Sequence, residues 1–281
     1  MNMGTYLRPL DLEETLAALA ATPLTILAGG TDFYPAHVGK PVAENIIDVT
    51  RILSLRGISE TDNAWRVGAT TTWTDLIRAP LPMYFRALKL AAREVGGQQI
   101  QNAGTVAGNI CNSSPAADSV PALLALGASV ELRSIDAIRQ VPLAEFILGN
   151  RKTARRSDEL LTTIVVPKWG TNSRSTFLKL GARKYLLISI VMVAACVELD
   201  ANGIITKAGI CVGACSPVAQ RLTKLEKKII GKRISASLAD IVEPNDIEAL
   251  SPIADVRSSA DYRMYAALTL VKRALAELAG E

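Results

Sequence analysis

Two polar, glycine-containing stretches carry residue types suited to binding rather than packing. The first, Ala28-Gly29-Gly30-Thr31-Asp32, follows the short apolar run Leu24-Thr25-Ile26-Leu27. Such a turn presents backbone N–H groups with little side-chain obstruction, which suits an anion such as a pyrophosphate. Tight hairpin turns use the same residues. The second stretch runs from Gly96 to Asp118 and reads GGQQIQNAGTVAGNICNSSPAAD. Its small residues let backbone come close to backbone or ligand. Asn102, Thr105, Asn109, Asn112, Ser113 and Ser114 can bond phosphate or ribose oxygens. Lacking a hydrophobic period, the stretch predicts neither helix nor strand. Its length favours a ligand-lining segment over a plain surface loop.

Other chemistries find little support. No GxGxxG follows a strand and no GxxxxGKS/T is present, so neither common phosphate fingerprint applies. No GxSxG elbow appears. The single histidine, His37, has no Ser or Cys partner at suggestive spacing and reads as a loop residue. Cys111, Cys196, Cys211 and Cys215 lack CxxC spacing, so free thiols and no metal site are expected. No catalytic side chain is assigned. Two glycine-containing loops can clamp a ligand with a long polar middle, such as a dinucleotide. With almost no histidine or metal chemistry, the cofactor itself must supply the reactivity, and flavin is the natural candidate.

The elements that would position these loops follow from pattern. At 281 residues, with 49% hydrophobic and 21% charged residues, the chain fits two domains or one large one and can bury a proper core. A net charge of +4 with interspersed signs argues against nucleic acid, Arg151–Arg156 being a short cluster in an expected exposed loop over Phe146–Arg156. The first residues contain no apolar signal core, so a cytoplasmic protein is expected. The longest apolar run, Leu186–Val197, is broken by Ser189 and too short to span a bilayer. Asp11 should cap a helix with Leu12, Leu16 and Leu19 on one face. Strands are expected over Leu24–Leu27 and Ile46–Val49, then Trp65–Thr72, Ala128–Arg133 and Leu160–Val166. Helices are expected over Trp73–Arg78, Met83–Glu94 and Pro121–Leu126. From Thr171 onwards three antiparallel strands are expected (Ser175–Ala182, Ile188–Leu199 and Ile204–Gly213), then helices over Val218–Ile230, Ser237–Val242 and Ala260–Leu278.

At the two loops the sequence resembles a known family. Ile26-Leu27-Ala28-Gly29-Gly30-Thr31-Asp32 and Gln99-Ile100-Gln101-Asn102-Ala103-Gly104-Thr105-Val106-Ala107-Gly108-Asn109 look like the paired FAD loops of the FAD-binding medium subunits of molybdenum hydroxylases, among them xanthine, nicotinate and carbon monoxide dehydrogenases. Phe146-Ile147-Leu148-Gly149 with Thr153 and Glu159-Leu160-Leu161 is similar to the family's FFxGxxxTxLxxxELL segment. Phe177-Leu178-Lys179 with Arg183 is similar to its FxKxxxR strand, and Gly213–Pro217 to a turn of its C-terminal domain.

The resemblance implies an α+β protein. A two-part PCMH-type FAD-binding domain (residues 1–57 and 58–170) would precede a C-terminal domain (171–281) with a three-stranded antiparallel sheet and a helical bundle. It implies that Ile26, Leu27, Ala28, Gly29, Gly30, Thr31, Asp32 and Phe33 hold the pyrophosphate. Thr105, Val106, Ala107, Gly108 and Asn109 would form the second cofactor loop. Asp118 would bond the adenosine side, and Val95, Leu161 and Lys179 would touch FAD, the lysine stabilising its anionic reduced form. The implied partners are a molybdenum-cofactor large subunit and a 2Fe–2S small subunit, with NAD or another acceptor, and purine-type heteroaromatics as substrates of the complex. Two departures stand out. Ala107 occupies a position where relatives carry glycine, and Lys184-Tyr185-Leu186-Leu187-Ile188 replaces an acidic or Gly-Asp pair, implying a more apolar flavin face. The cysteine-rich insertion of hydroxybenzoyl-CoA reductases is missing. A stand-alone flavin oxidase and a non-enzymatic dinucleotide-binding scaffold are the rival readings.

Overall fold

The Asp11 carboxylate accepts the N–H of Glu14 at 2.8 Å and opens the helix Leu12–Ala21, whose buried Leu12, Leu16 and Leu19 share one face. That face covers a small parallel sheet in the order Tyr6–Leu7, Ile46–Asp48, Thr25–Leu27. The structure, a computed structural model, describes residues 4–183 and 187–280.

A second sheet is antiparallel throughout, in the order Ile58–Glu60, Ala64–Gly68, Leu160–Pro167, Ser129–Arg133, Ile138–Pro142. Its central strand, Leu160–Pro167, is buried along nearly its whole length, which explains an apolar pattern interrupted only by Thr162 and Thr163. Trp73–Arg78 is a helix with a reciprocal capping box between Thr72 and Asp75. The expected helix from Met83 is a 3₁₀ turn, Met83–Phe85, leading into the helix Arg86–Glu94.

The third sheet has three long antiparallel strands, Ser173–Leu180, Val191–Leu199 and Ile205–Gly213. Gln220–Arg221 adds a two-residue fourth strand, so the expected helix Val218–Ile230 is confined to Thr223–Ile229. Along Val191–Leu199, Val191, Val193, Ala195 and Val197 face one core, while Met192, Ala194 and Cys196 face the other. The strand is therefore apolar on both sides because a helix covers each face. One is Ala260–Gly280; the other is Ser119–Ala125 from the preceding half of the chain. A Cβ on Gly209 would lie 2.0 Å from the Ala125 carbonyl oxygen, so only a glycine admits that helix so closely.

Two expectations need correction. Gly96–Asp118 is largely helical, forming Gln98–Ala103 and Val106–Asn112. Neither segment has a strong apolar stripe; the first is tied to its neighbours by the Thr74–Asn102 and Gln101–Arg93 hydrogen bonds, and the second holds because Thr105 caps it and Val106, Ala107 and Ile110 pack into the core. Phe146–Arg156 is not an exposed loop. Phe146 is fully buried, and Ile147–Gly149 pairs with Lys152–Thr153 as a tight hairpin.

Candidate functional site

Strand Thr25–Leu27 ends at a turn in which Gly30 takes a left-handed φ of +67°. The Tyr34 N–H donates to the Gly30 carbonyl at 3.0 Å and starts the one-turn helix Phe33–Ala36. Gly29 lies against the second loop: a Cβ there would sit 2.1 Å from the Ala103 carbonyl oxygen. Within the described residues, no protein acceptor takes the N–H groups of Gly29, Gly30, Thr31 or Asp32. Successive backbone donors of this kind suit an anion.

The second wall is built by Thr105. Its Oγ1 accepts the Gly108 N–H at 2.9 Å, and a Cβ on Gly108 would come within 2.7 Å of that oxygen. The Val106 N–H donates to Thr71 and the Trp73 N–H to Gly104, pinning the loop beside Thr72. Val106 and Ile110 turn into the core, which leaves Thr105, Ala107, Gly108, Asn109, Cys111 and Asn112 on the open side. Ala107 has helical backbone and is not among the left-handed residues, so its methyl is accommodated without strain.

Between the walls lies a cavity of about 590 Å³, within the range of small-molecule and cofactor sites. Of the residues singled out in the sequence, Ile26 to Phe33, Val95, Thr105, Ala107, Gly108, Asn109, Asn112 and Leu161 line it. Val106, Asp118 and Lys179 do not, nor do Asn102, Ser113 and Ser114. Three further features of the wall carry no signature in the sequence strong enough to mark them. His37 lies on the wall, its ring 4.3 Å from Phe33 and its Nδ1 2.8 Å from the Phe33 carbonyl oxygen. Cys111 also faces the cavity, where burial pushes its thiol up to about 11. Arg151, Thr153 and Arg155 come from the hairpin and its flank. Thr153 belongs to the family-like segment, whereas for Arg151 and Arg155 the basic cluster is the available signal, and by itself it resembles a solvated rim.

Asp118 and Lys179 form a separate buried pair behind this wall. Lys179 Nζ donates to Asp118 Oδ2 at 2.7 Å, and Ser189 Oγ donates to Oδ1 at 2.6 Å. Burial pushes the Asp118 carboxyl above its ordinary range, against the opposing pull of Lys179 and Ser189. The pair ties the start of helix Ser119–Ala125 to the third sheet. Of the stretch Lys184-Tyr185-Leu186-Leu187-Ile188, from which a more apolar flavin face is expected, the first three residues lie outside the described ones. Among the described residues no cluster of three or more His, Cys, Asp or Glu could hold a metal, and no helix is long and apolar enough to cross a membrane.

Two family models match the chain nearly end to end. Residues 1–169 match the FAD binding domain in molybdopterin dehydrogenase, and residues 176–278 the CO dehydrogenase flavoprotein C-terminal domain. The nicotinate dehydrogenase FAD-subunit of Eubacterium barkeri is 31% identical over 92% of this chain and 90% of its own length. A putative xanthine dehydrogenase FAD-binding subunit of Escherichia coli is 29% identical over 98% of this chain and 96% of its own. The structure of carbon monoxide dehydrogenase from Hydrogenophaga pseudoflava superposes with a TM-score of 0.86 at 29% identity, covering 99% of this chain and 97% of that one.

Proposed function

The chain belongs to the FAD-binding medium subunits of the molybdenum hydroxylase family, and from that premise we propose that it relays electrons from partner iron–sulfur clusters to NAD or another acceptor. Its cofactor is FAD, and it is the flavoprotein subunit of an oxidoreductase. The observation that carries the reading is the row of four backbone donors, Gly29 to Asp32, with no acceptor among the described residues, opening on a cavity with apolar residues elsewhere on its wall.

The residues present fit the cofactor. Backbone N–H groups suit a pyrophosphate, since hydrogen bonds to a charged acceptor are stronger than neutral ones. Thr105 and Asn109 offer polar atoms along the second wall, while Val95, Ala107 and Leu161 offer apolar surface for a ring system. FAD, when bound, supplies the redox chemistry, accepting electrons and passing them on. The chain's own residues bind it and shield it from water. Asp118 and Lys179 enter this reading as a pair that positions the wall from behind. The iron–sulfur clusters and the molybdenum centre are assigned to partner subunits. The four cysteines here are free and dispersed, three of them buried in or beside the third sheet. The oxidised compound is then bound by the molybdenum partner, not by this chain.

Titration of the purified chain with FAD, followed by flavin fluorescence, should saturate at one FAD per chain. Riboflavin, which lacks the phosphates, should bind at least about 100-fold more weakly, because two lost charge-assisted bonds cost roughly 3 kcal/mol or more. Equal affinity for riboflavin would sink the assignment of the glycine loop. No uptake of either would favour a scaffold that has lost its flavin.

A further inference from the structure

Arg151 sits at the tip of the hairpin between Gly149 and Lys152 with a left-handed φ of +57°, a conformation uncommon for a residue other than glycine or asparagine. The base of the hairpin is held firmly. Ser113, also left-handed at +52°, donates its Oγ to the carbonyls of Gly149 at 2.6 Å and Lys152 at 3.2 Å. The Arg151 N–H donates in turn to the Ser113 carbonyl at 3.2 Å. The unusual backbone is therefore imposed by contacts with the end of the Val106–Asn112 helix, and it aims one side chain.

That side chain bridges the two walls. Arg151 Nη1 donates to Asn112 Oδ1 at 2.6 Å on the second wall and to Asp32 Oδ2 at 2.7 Å on the first. All three residues line the cavity, and the Arg151 and Asp32 side chains are 61% and 51% exposed. An ion pair this exposed contributes little to stability and so opens readily. Neighbouring Arg155 differs: its Nη1 is held by the carbonyls of Arg156 and Glu159, both at 2.8 Å.

We propose that Arg151 is a latch across the mouth of the cofactor cavity, closed on Asp32, which sets how fast FAD enters and leaves rather than how tightly it binds. The inference rests on the assignment of FAD to this cavity. Its rival is a direct role for Arg151 as a phosphate ligand, and Asp32 separates the two. Opening the latch from either side should speed both directions of exchange, whereas freeing a phosphate ligand from Asp32 should tighten binding.

The test is stopped-flow FAD association and dissociation on the full chain. Arg151→Ala and Asp32→Asn should each raise both rate constants by about three- to tenfold, the range of an exposed ion pair with one further charge-assisted bond. In Arg151→Ala the dissociation constant should stay nearly unchanged, and the double variant should be no faster than either single one. Added salt should speed release from the wild type but not from Arg151→Ala, since exposed pairs are screened. Arg151→Gly should melt no lower than the wild type, because glycine relaxes the left-handed tip. Slower association in Arg151→Ala with tighter binding in Asp32→Asn would overturn the latch in favour of a phosphate ligand. Unchanged rates in both variants, with FAD still bound, would overturn the latch alone. A wild-type chain that takes up no FAD would overturn the cofactor assignment and the latch with it.

Discussion

Replacing Gly29 with alanine is expected to weaken FAD binding by about 100-fold or more and to lower stability by roughly 1–3 kcal/mol. The added methyl would sit 2.1 Å from the Ala103 carbonyl oxygen and 2.8 Å from the Gly104 Cα, both backbone atoms that no rotamer change can move. Relief requires the two walls to separate, which carries the Gly29–Asp32 donors away from the ligand they face. Losing two of those bonds accounts for an affinity change of that size. Gly39→Ala is the control. Gly39 is left-handed, at +72°, as Gly29 is not, and a Cβ placed there would have nothing within 4 Å, so the change should cost backbone strain and leave FAD binding intact. Fluorescence titration and thermal melts on both variants check the pair. Equal FAD affinity in Gly29→Ala and wild type would show that the contact between the walls does not shape the site.

The second large effect is expected at Lys179. Lys179→Met removes the cation from Asp118 while the carboxyl remains buried, with Ser189 its remaining side-chain partner among the described residues. Breaking a buried pair from one side costs about 3–5 kcal/mol, because the charge left behind is uncompensated. Substituting both members, as Lys179→Met with Asp118→Asn, removes the stranded charge and should recover most of the loss. A denaturant series on the two variants separates these outcomes. A double variant as unstable as the single one would mean that the lysine contributes packing rather than charge. The redox potential of the bound flavin adds an independent reading of the same variants. A fall in Lys179→Met is the result expected if its ammonium lies close enough to favour the anionic reduced ring, and an unchanged potential would confine the residue to positioning.

Local pattern is sufficient for much of the fold. The Asp11 cap, the leucine face behind it and the long C-terminal helix each depend on spacing within a single element. The strands Val191–Leu199 and Ile205–Gly213 are legible for the same reason, together with the Gly203 turn that joins them. What escapes depends on partners distant in sequence. Gln98–Ala103 and Val106–Asn112 are too short and too polar to be stable alone; the first persists through hydrogen bonds to Thr74 and Arg93, the second through the Thr105 cap and packing on the core. Gln220–Arg221 becomes a strand only because the edge of Ile205–Gly213 is available to it.

The candidate site divides in the same way. The glycine turn announces itself through residue type alone, whereas the reason Gly29 must be glycine is a carbonyl on another element. Arg151 looks like one basic residue among several because its partner, Asp32, lies 119 positions away. Asp118 and Lys179 each stand out through the family resemblance as contacts of the cofactor. Their pairing with one another, and with Ser189, is a tertiary fact that neither motif contains.

We propose that electrons pass through the flavin held by this chain. This is tested most directly by removing FAD from the assembled complex and following two signals after adding the organic substrate under anaerobic conditions. The iron–sulfur clusters should still be reduced, while reduction of the acceptor should stop and return when FAD is restored. Acceptor reduction at an undiminished rate without FAD would contradict the account.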